Sequence, residues 1–254
     1  MPRLYVPGPW SAGAELELSP AAARHVQVLR LQPGDALMLF DGLGGQQDAT
    51  VLHMGRREVR VRTGTAWTRE PEPMRPIQLA LGVPANDRMD WLVEKATELG
   101  VSAIQPLLCE RSVLRASGER AGKKLAHWRG IAVAACEQCG GNRLPEVHDW
   151  QALTDWLRET GSDARPLRLL LSLQPDAQPL GERLQQAMAE APARSIGLLS
   201  GPEGGLSPAE EALARAAGWT PVSLGTRVLR AETAALAALA ALQLHPAATR
   251  SPDR

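Results

Sequence analysis

The sequence is short of several features that would indicate common classes of protein. Its three cysteines are an odd number and do not form a disulfide framework. No apolar run is long enough to cross a membrane, and the N-terminal segment lacks the basic and then apolar pattern of a signal peptide. The formal net charge is zero, so no overall positive charge indicates nucleic-acid binding. We therefore expect a soluble, cytoplasmic protein without a membrane partner.

The first part of the chain has the pattern of a small β-rich domain. The dipeptides Asp41-Gly42 and Gly44-Gly45 are hairpin signals. The segment REVRVRT at 57–63 alternates charged and apolar residues, as a half-buried strand does. Ser19 followed by Pro20 favours the start of a short helix. These signals predict a β-rich domain, in the form of a small barrel, over residues 1–70.

The rest of the chain has the pattern of an α/β domain. A polar segment with three prolines, TREPEPMRP at 68–76, predicts a linker over residues 71–76. From residue 77 to residue 246, apolar strands alternate with amphipathic helices. This alternation predicts a largely parallel sheet with flanking helices. We expect residues 247–254 to form a frayed tail.

A glycine-rich loop lies between a strand and a helix of the second domain. The strand SIGLLS leads into GPEGG at 201–205, and Ser207 with Glu210 forms a capping box for the next helix. Ligand sites of open α/β sheets use this order, although a tight turn without a ligand is the alternative. The spacing matches neither the P-loop nor the dinucleotide fingerprint, and Glu203 would repel phosphate. We therefore expect a neutral or cationic ligand.

A second loop follows the next predicted strand. The strand ends at Leu224-Gly225, and Arg227 and Arg230 follow it, close to Glu232 at the start of an alanine-rich helix. Because the carboxyl ends of parallel strands share one edge of a sheet, we expect the two loops to meet there. The arginines either present positive charge to a polyanionic substrate or fix the loop through a pair between Arg230 and Glu232.

The pair Cys136 and Cys139 has the C-x-x-C spacing of some metal and redox sites. A zinc site needs two further ligands, and Cys109, His127 and His148 do not have the spacing of a zinc motif. The pair also closes a predicted helix rather than opening one. We interpret the two thiols as packing on a helix face and expect no metal.

Two local clusters of positive charge can bind RNA locally despite the zero net charge. From charge alone, a solvated surface is the favoured interpretation of both clusters. The first is formed by Arg56, Arg57, Arg60 and Arg62. The second extends from residue 110 to residue 143, includes Arg115, and ends in the polar residues Glu137, Gln138, Asn142 and Arg143.

Several segments together resemble the RsmE family, the 16S ribosomal RNA uridine N3-methyltransferases of the SPOUT class. They are EKATELGV, AACEQCGGNRLPE, GPEGGLSPAEE and SLGTRVLRAETA, in this order. The segments RLYV and RHVQVLRLQPGDALMLFDG resemble the PUA-like barrel of that family, so the resemblance covers essentially the whole chain. It implies a trefoil-knotted α/β domain, a homodimer, S-adenosylmethionine (AdoMet) as methyl donor, and 16S ribosomal RNA of the small subunit as substrate.

The resemblance also implies roles for individual residues. The cofactor would contact Ser172, Leu173, Leu199, Ser200, Gly201, Pro202, Glu203, Gly204, Gly205, Leu224, Gly225, Arg227, Val228 and Leu229. The target nucleotide would meet Arg230, Glu232 and Thr233. Further RNA contacts would come from Arg3, Arg24, Arg30, Arg111, Glu137, Gln138 and Arg143. The chain departs from the family pattern at Gly141 and at Ala85-Asn86, where many relatives carry a cation.

Replacement of both Cys136 and Cys139 by Ser is expected to leave AdoMet binding and methyl transfer intact, because packing on a helix face requires no thiolate. Calorimetry with AdoMet and incorporation of labelled methyl into RNA measure the two properties. Stoichiometric zinc in the purified protein, lost from the double variant together with activity, would contradict this interpretation.

Overall fold

The computed structural model describes residues 1–56, 58–114, 118–160, 167–190 and 195–244. It divides the chain into two compact units. The first consists of Met1–Glu72 and Val133–Leu144, and the second of Pro73–Ala132 and Pro145–Arg254. The first unit therefore includes a segment that is remote from it in sequence. The boundaries at 70 and 77 stay a prediction, and Arg57, Arg115 and the predicted tail 247–254 lie outside the described residues.

The described residues of the first unit form a five-stranded sheet in the order β1-β3-β4-β5-β2. Its strands are β1 (Arg3–Tyr5), β2 (Glu15–Glu17), β3 (Ala36–Phe40), β4 (Gly45–Met54) and β5 (Val59–Arg69). Apolar residues that alternate along β3 and β5 are buried together with α1 (Pro20–Val28). Ser19 caps α1 and Pro20 is its first residue, as predicted. Closure of the sheet into a barrel stays a prediction.

The predicted hairpin signal in the first unit joins β3 to β4. The carboxylate of Asp41 accepts hydrogen bonds from the backbone N–H groups of Leu43 at 2.7 Å and Gly45 at 2.8 Å. Gly42 and Gly44 both have positive φ, which the turn requires and which glycine adopts at little cost. The hairpin signal read from the sequence is therefore confirmed.

The second unit is built on a parallel sheet whose described strands have the order β11-β13-β10-β12-β6-β7-β8, with β9 also paired to β7. Every pairing between these strands is parallel. The strands are β6 (Ile77–Gly82), β7 (Ala103–Leu108), β8 (Glu146–Val147), β9 (Gln151–Ala152), β10 (Leu167–Leu171), β11 (Gln178–Pro179), β12 (Ile196–Ser200) and β13 (Thr220–Ser223). The predicted largely parallel sheet is confirmed, whereas the trefoil knot stays a prediction.

Helices pack on both faces of this sheet. They are α2 (Asn86–Glu98), α3 (Gly118–Cys139), α4 (Leu153–Thr160), α5 (Leu180–Glu190), α6 (Pro208–Ala216) and α7 (Ala231–Leu244). Leu79 of β6 lies in one buried cluster with α2 and α7, and the next residue, Ala80, lies in a second cluster with α4 and α6. Two buried faces explain why the strands are continuously apolar. Within the described ranges, each helix is too short or too polar to span a membrane.

Candidate active site

Three loops of the second unit line a cavity of about 600 Å³. They follow β10, β12 and β13, and they contribute lining residues from 171–177, 200–206 and 222–231. These three strands are neighbours in the sheet, in the order β13-β10-β12, and all are parallel. Their carboxyl ends therefore lie at one edge, which is where open α/β sheets bind ligands.

The predicted cofactor residues are nearly all part of this cavity. All of them except Leu199 line it, and Leu199 is fully buried in the core below. Leu173 and Val228 are 75% and 77% exposed, so two large apolar side chains at the cavity meet water. A flat apolar group bound there would remove them from water. The lining also includes Arg111, Gln174 and Glu211, which the sequence did not indicate as cofactor contacts.

The glycine-rich segment 201–205 packs closely against backbone. A Cβ on Gly201 would lie 2.7 Å from the N of Leu206, and Gly205 has a φ of +68°. A Cβ on Gly82, at the end of β6, would lie 2.6 Å from the N of Pro202. The loop is therefore a tight turn that also forms part of the cavity wall, and its contact with a ligand stays a prediction. The sequence did not indicate that position 82 requires glycine, because the close contact is with Pro202, which lies 120 positions away.

Residues that follow β7 brace the glycine-rich loop. Arg111 Nη1 donates to the carbonyl oxygens of Gly204 at 2.9 Å and Leu206 at 3.3 Å. The N–H of Glu110 donates to Glu210 Oε1 at 2.7 Å, while Glu210 also completes the predicted capping box with Ser207. Arg111 therefore has hydrogen-bond partners within its own unit. Its contact with RNA stays a prediction.

The loop after β10 is fixed to α6 by hydrogen bonds and ion pairs. Ser172 Oγ donates to Glu211 Oε1 at 2.7 Å and accepts from the N–H of Gln174 at 3.1 Å. Arg215 donates to both oxygens of Asp176, at 2.6 and 3.0 Å, and to Glu211 at 2.9 Å. The hydrogen bonds from Arg215 hold the pKa of Asp176 below its ordinary value. These contacts fix the cavity wall that contains Leu173.

The residues expected to face a target nucleotide lie around the start of α7. Arg230 and Thr233 are exposed, whereas the side chain of Glu232 is only 8% exposed. Among the described ion pairs, Glu232 is joined to Arg88, with Nε and Oε1 3.8 Å apart, and not to Arg230. The sequence suggested an ion pair between the neighbours Arg230 and Glu232. The structure instead pairs Glu232 with Arg88, which lies 144 positions earlier in the chain.

In the first unit, three residues predicted to contact RNA form hydrogen bonds or ion pairs with other residues of the same unit. Arg3 donates to Gln46 Oε1 at 2.8 Å and to Asn142 Oδ1, and its guanidinium lies over the ring of Phe40. Glu137 accepts from the N–H of Tyr5 at 3.0 Å and contacts His25 Nδ1 at 2.9 Å. Arg143 donates to the carbonyl oxygens of Pro71 at 3.1 Å and Glu70 at 3.2 Å. Each therefore has a stabilising role apart from any contact with RNA.

The other predicted RNA contacts of the first unit are on the surface. Arg24, Arg30 and Gln138 are exposed. In the cluster between positions 56 and 62, Arg60 pairs with Glu58 at 2.9 Å and Arg62 pairs with Glu15 at 2.7 Å. These pairs reduce the positive charge of the cluster, so that exposed arginines elsewhere become the better candidates for phosphate contacts.

Two of the three cysteines, Cys109 and Cys136, are buried and Cys139 is exposed. Burial raises the pKa of the Cys109 and Cys136 thiols to about 12, so both are protonated at neutral pH. Cys136 and Cys139 lie at the end of α3, as predicted. In the part of the chain that the structure describes, no group of three or more metal-binding side chains occurs. The absence of metal in the protein itself is tested by the double Ser variant described above.

The parallel sheet and the cavity at its edge define an α/β protein with a binding site for a small molecule. The chain also contains a β-rich unit. Residues 70–243 match the family model of an RNA methyltransferase domain, and residues 18–63 match that of an RNA methyltransferase PUA domain. The chain belongs to the RsmE family of RNA methyltransferases. The family read from the sequence motifs is therefore confirmed.

Similar proteins cover nearly the whole chain. Ribosomal RNA small subunit methyltransferase E of Synechocystis sp. is 35% identical over 89% of this chain and 72% of its own length. The crystal structure of the enzyme of that name from Neisseria gonorrhoeae, bound to S-adenosyl methionine, is 37% identical, with a TM-score of 0.88 and coverage of 96% and 97%. A methyltransferase of Legionella pneumophila with bound SAM is 35% identical, with a TM-score of 0.85 and coverage of 95% and 96%.

Replacement of Gly82 by Ala is expected to lower the free energy of unfolding by about 1–3 kcal/mol, because the added Cβ must displace the backbone of Pro202. Gly181→Ala is the matched control, since a Cβ there meets no atom within 4 Å and the position is helical. Urea denaturation measures both variants. Equal stability of the two variants would show that the close approach of Gly82 to Pro202 is not required.

Proposed function

We propose that this chain is an AdoMet-dependent methyltransferase that methylates N3 of a uridine in 16S ribosomal RNA. The observation that carries the proposal is the cavity at the edge where β13, β10 and β12 end. Its lining contains the segments that the family resemblance assigns to the cofactor. The similar structure from Neisseria gonorrhoeae, which aligns over 96% of this chain, has S-adenosyl methionine bound.

The cavity fits AdoMet, which when bound supplies an electrophilic methyl group on a sulfonium. A volume of about 600 Å³ is typical of a site for one small molecule. Leu173 and Val228 offer apolar surface to the adenine ring, and the glycine-rich segment exposes backbone to the ligand. The carboxylates of Glu203 and Glu211 also line the cavity, but Arg88 and Arg215 already balance their charge.

The residues at the start of α7 suit the chemistry of uracil N3. The N3–H group is weakly acidic, so its proton must be removed before nitrogen can accept a methyl group. We assign proton acceptance to Glu232. Arg230 is exposed directly before the helix, where its guanidinium and the positive end of the helix dipole stabilise negative charge on the uracil carbonyl oxygens. Thr233 offers a hydroxyl on the same turn. The target base must leave its stack to reach them.

The remaining parts of the proposal concern the RNA and the assembly. Arg24 and Arg30, both exposed, supply phosphate contacts from the first unit. The substrate is RNA in the small ribosomal subunit, and the reaction takes place in the cytoplasm. The enzyme acts as a homodimer, in which the exposed Trp91 of α2 and Leu244 of α7 are candidates for burial between copies. Analytical ultracentrifugation measures the oligomeric state.

The proposed reaction is tested with labelled AdoMet and small ribosomal subunits from a strain that lacks this gene. We expect label in the subunit RNA and 3-methyluridine in its nuclease digest, identified by mass spectrometry. Label in another nucleoside or another RNA would support a methyltransferase of different specificity instead. AdoMet binding by calorimetry without transfer to any RNA would support a non-catalytic RNA-binding protein.

Replacement of Arg230 by Ala is expected to slow methyl transfer by about ten- to a hundredfold, since a charge-assisted hydrogen bond contributes about 1.5–3 kcal/mol. AdoMet affinity is expected to stay within a few-fold, because Arg230 is assigned to the nucleotide and not to the cofactor. Single-turnover assays and calorimetry measure the two effects. Arg158→Ala, on the exposed side of α4, is the control. A loss of AdoMet affinity as large as the loss of rate would contradict this assignment.

A further inference from the structure

The start of α2 is capped by a residue from the glycine-rich loop. Ala85 occupies the N-cap position, and its side chain cannot accept a hydrogen bond. Glu203 Oε1 instead accepts from the N–H of Ala85 at 2.8 Å and from Arg88 Nη1 at 3.4 Å. This carboxylate acts like the acidic residue of a capping box, except that it comes from a loop 118 positions away. The cavity wall is therefore fixed to the first turn of α2.

The same arginine contacts a second carboxylate. Arg88 Nε lies 3.8 Å from Glu232 Oε1 at the start of α7. The side chain of Glu232 is 8% exposed, and a buried carboxylate requires a compensating charge. Within the described residues, Glu232 Oε2 is buried and has no hydrogen-bond partner. One oxygen thus faces the counter-ion, and the other is shielded from water with its lone pairs unused.

The two carboxylates depend on Arg88 to different degrees. Glu203 also accepts from the N–H of Ala85, at a shorter distance than from Arg88. For Glu232, Arg88 supplies the positive charge in the described ion pairs. Loss of the guanidinium would therefore leave Glu203 attached to α2 but would leave the charge of Glu232 uncompensated. The effect should fall on Glu232 more than on the cavity wall.

We propose that Arg88 is a positioning residue for methyl transfer, which orients Glu232 to accept the N3 proton of the target uridine. This inference rests on the proposed function. The proton moves from N3 to the carboxylate, the N3 electron pair forms the new bond to the methyl carbon, and the carbon–sulfur bond breaks with its electron pair left on sulfur.

A competing role for Arg88 is direct contact with RNA phosphate, since its side chain is 39% exposed. The two roles differ in what they change. A phosphate contact contributes to RNA affinity and to its dependence on salt. A counter-ion of Glu232 contributes to the rate of the chemical step and leaves RNA affinity as it was.

The test compares Arg88→Met, Arg88→Lys and the control Arg158→Met in single-turnover methylation of small subunits. We expect Arg88→Met to lower the maximal single-turnover rate constant at least about tenfold, with the AdoMet Kd and the RNA concentration for half-maximal rate within about threefold of the wild type. Arg88→Lys should recover part of the rate, because lysine restores the positive charge but not the planar guanidinium with its several N–H donors. A wild-type rate for Arg88→Met, or a loss confined to RNA affinity with a weaker salt dependence, would overturn the proposal.

A double-mutant cycle shows whether Arg88 acts through Glu232. If it does, adding Arg88→Met to Glu232→Gln should slow the reaction by less than about twofold beyond Glu232→Gln alone. Effects of the two substitutions that multiply would overturn the proposal. In urea denaturation, Arg88→Met should lower the midpoint more when Glu232 is present than in the Glu232→Gln background, where only the contact of Arg88 with Glu203 is lost. Equal shifts would also overturn the proposal.

The wild-type reaction separates this proposal from the proposed function. If the wild-type protein transfers no methyl group to RNA, the proposed function fails, and with it the role of Arg88 in the reaction. If the wild type is active and Arg88→Met is equally active, only the role of Arg88 fails.

Discussion

The adjacency of three parallel strands is the constraint on which the candidate site depends. Because β13, β10 and β12 are neighbours and run in one direction, their carboxyl ends lie side by side and the loops that follow them surround one space. Both faces of the sheet are covered by apolar clusters, which leaves the strand ends as the place where polar backbone can meet a ligand. The sheet thus determines where a small molecule binds before any particular side chain is considered.

Loops of this kind need support, because glycine-rich backbone loses much conformational entropy when it is ordered. The support comes from charged side chains in other elements. Arg111 holds the carbonyl groups of the loop after β12, and Arg215 holds the loop after β10 through Asp176. Arg88 contacts a carboxylate of the loop after β12 and another at the start of α7. The cavity is therefore ordered by contacts behind its lining.

The sequence predicted those features that short-range patterns encode. The capping box of Ser207 and Glu210, the hairpin at Asp41 and the alternation of strands and helices are all local, and the structure contains each of them. The family motifs were long enough to indicate the loops that line the cavity. The ion pair of Arg88 with Glu232 and the approach of Gly82 to Pro202 were not predictable in this way. Both join residues more than a hundred positions apart, which only the folded sheet brings together.

The difference between local sequence patterns and contacts made only in the fold also explains why some arginines of the first unit are paired and others are exposed. A count of arginines in sequence indicates an RNA-binding surface, but it does not distinguish a free guanidinium from one that already has partners. Arg3 and Arg143 are used within the unit, where they tie the segment 133–144 to the strand β1 and to the end of β5. Arg24 and Arg30 remain exposed. In a protein of zero net charge, long-range attraction for RNA is weak, so the proposed recognition would depend on a few such exposed cations at short range.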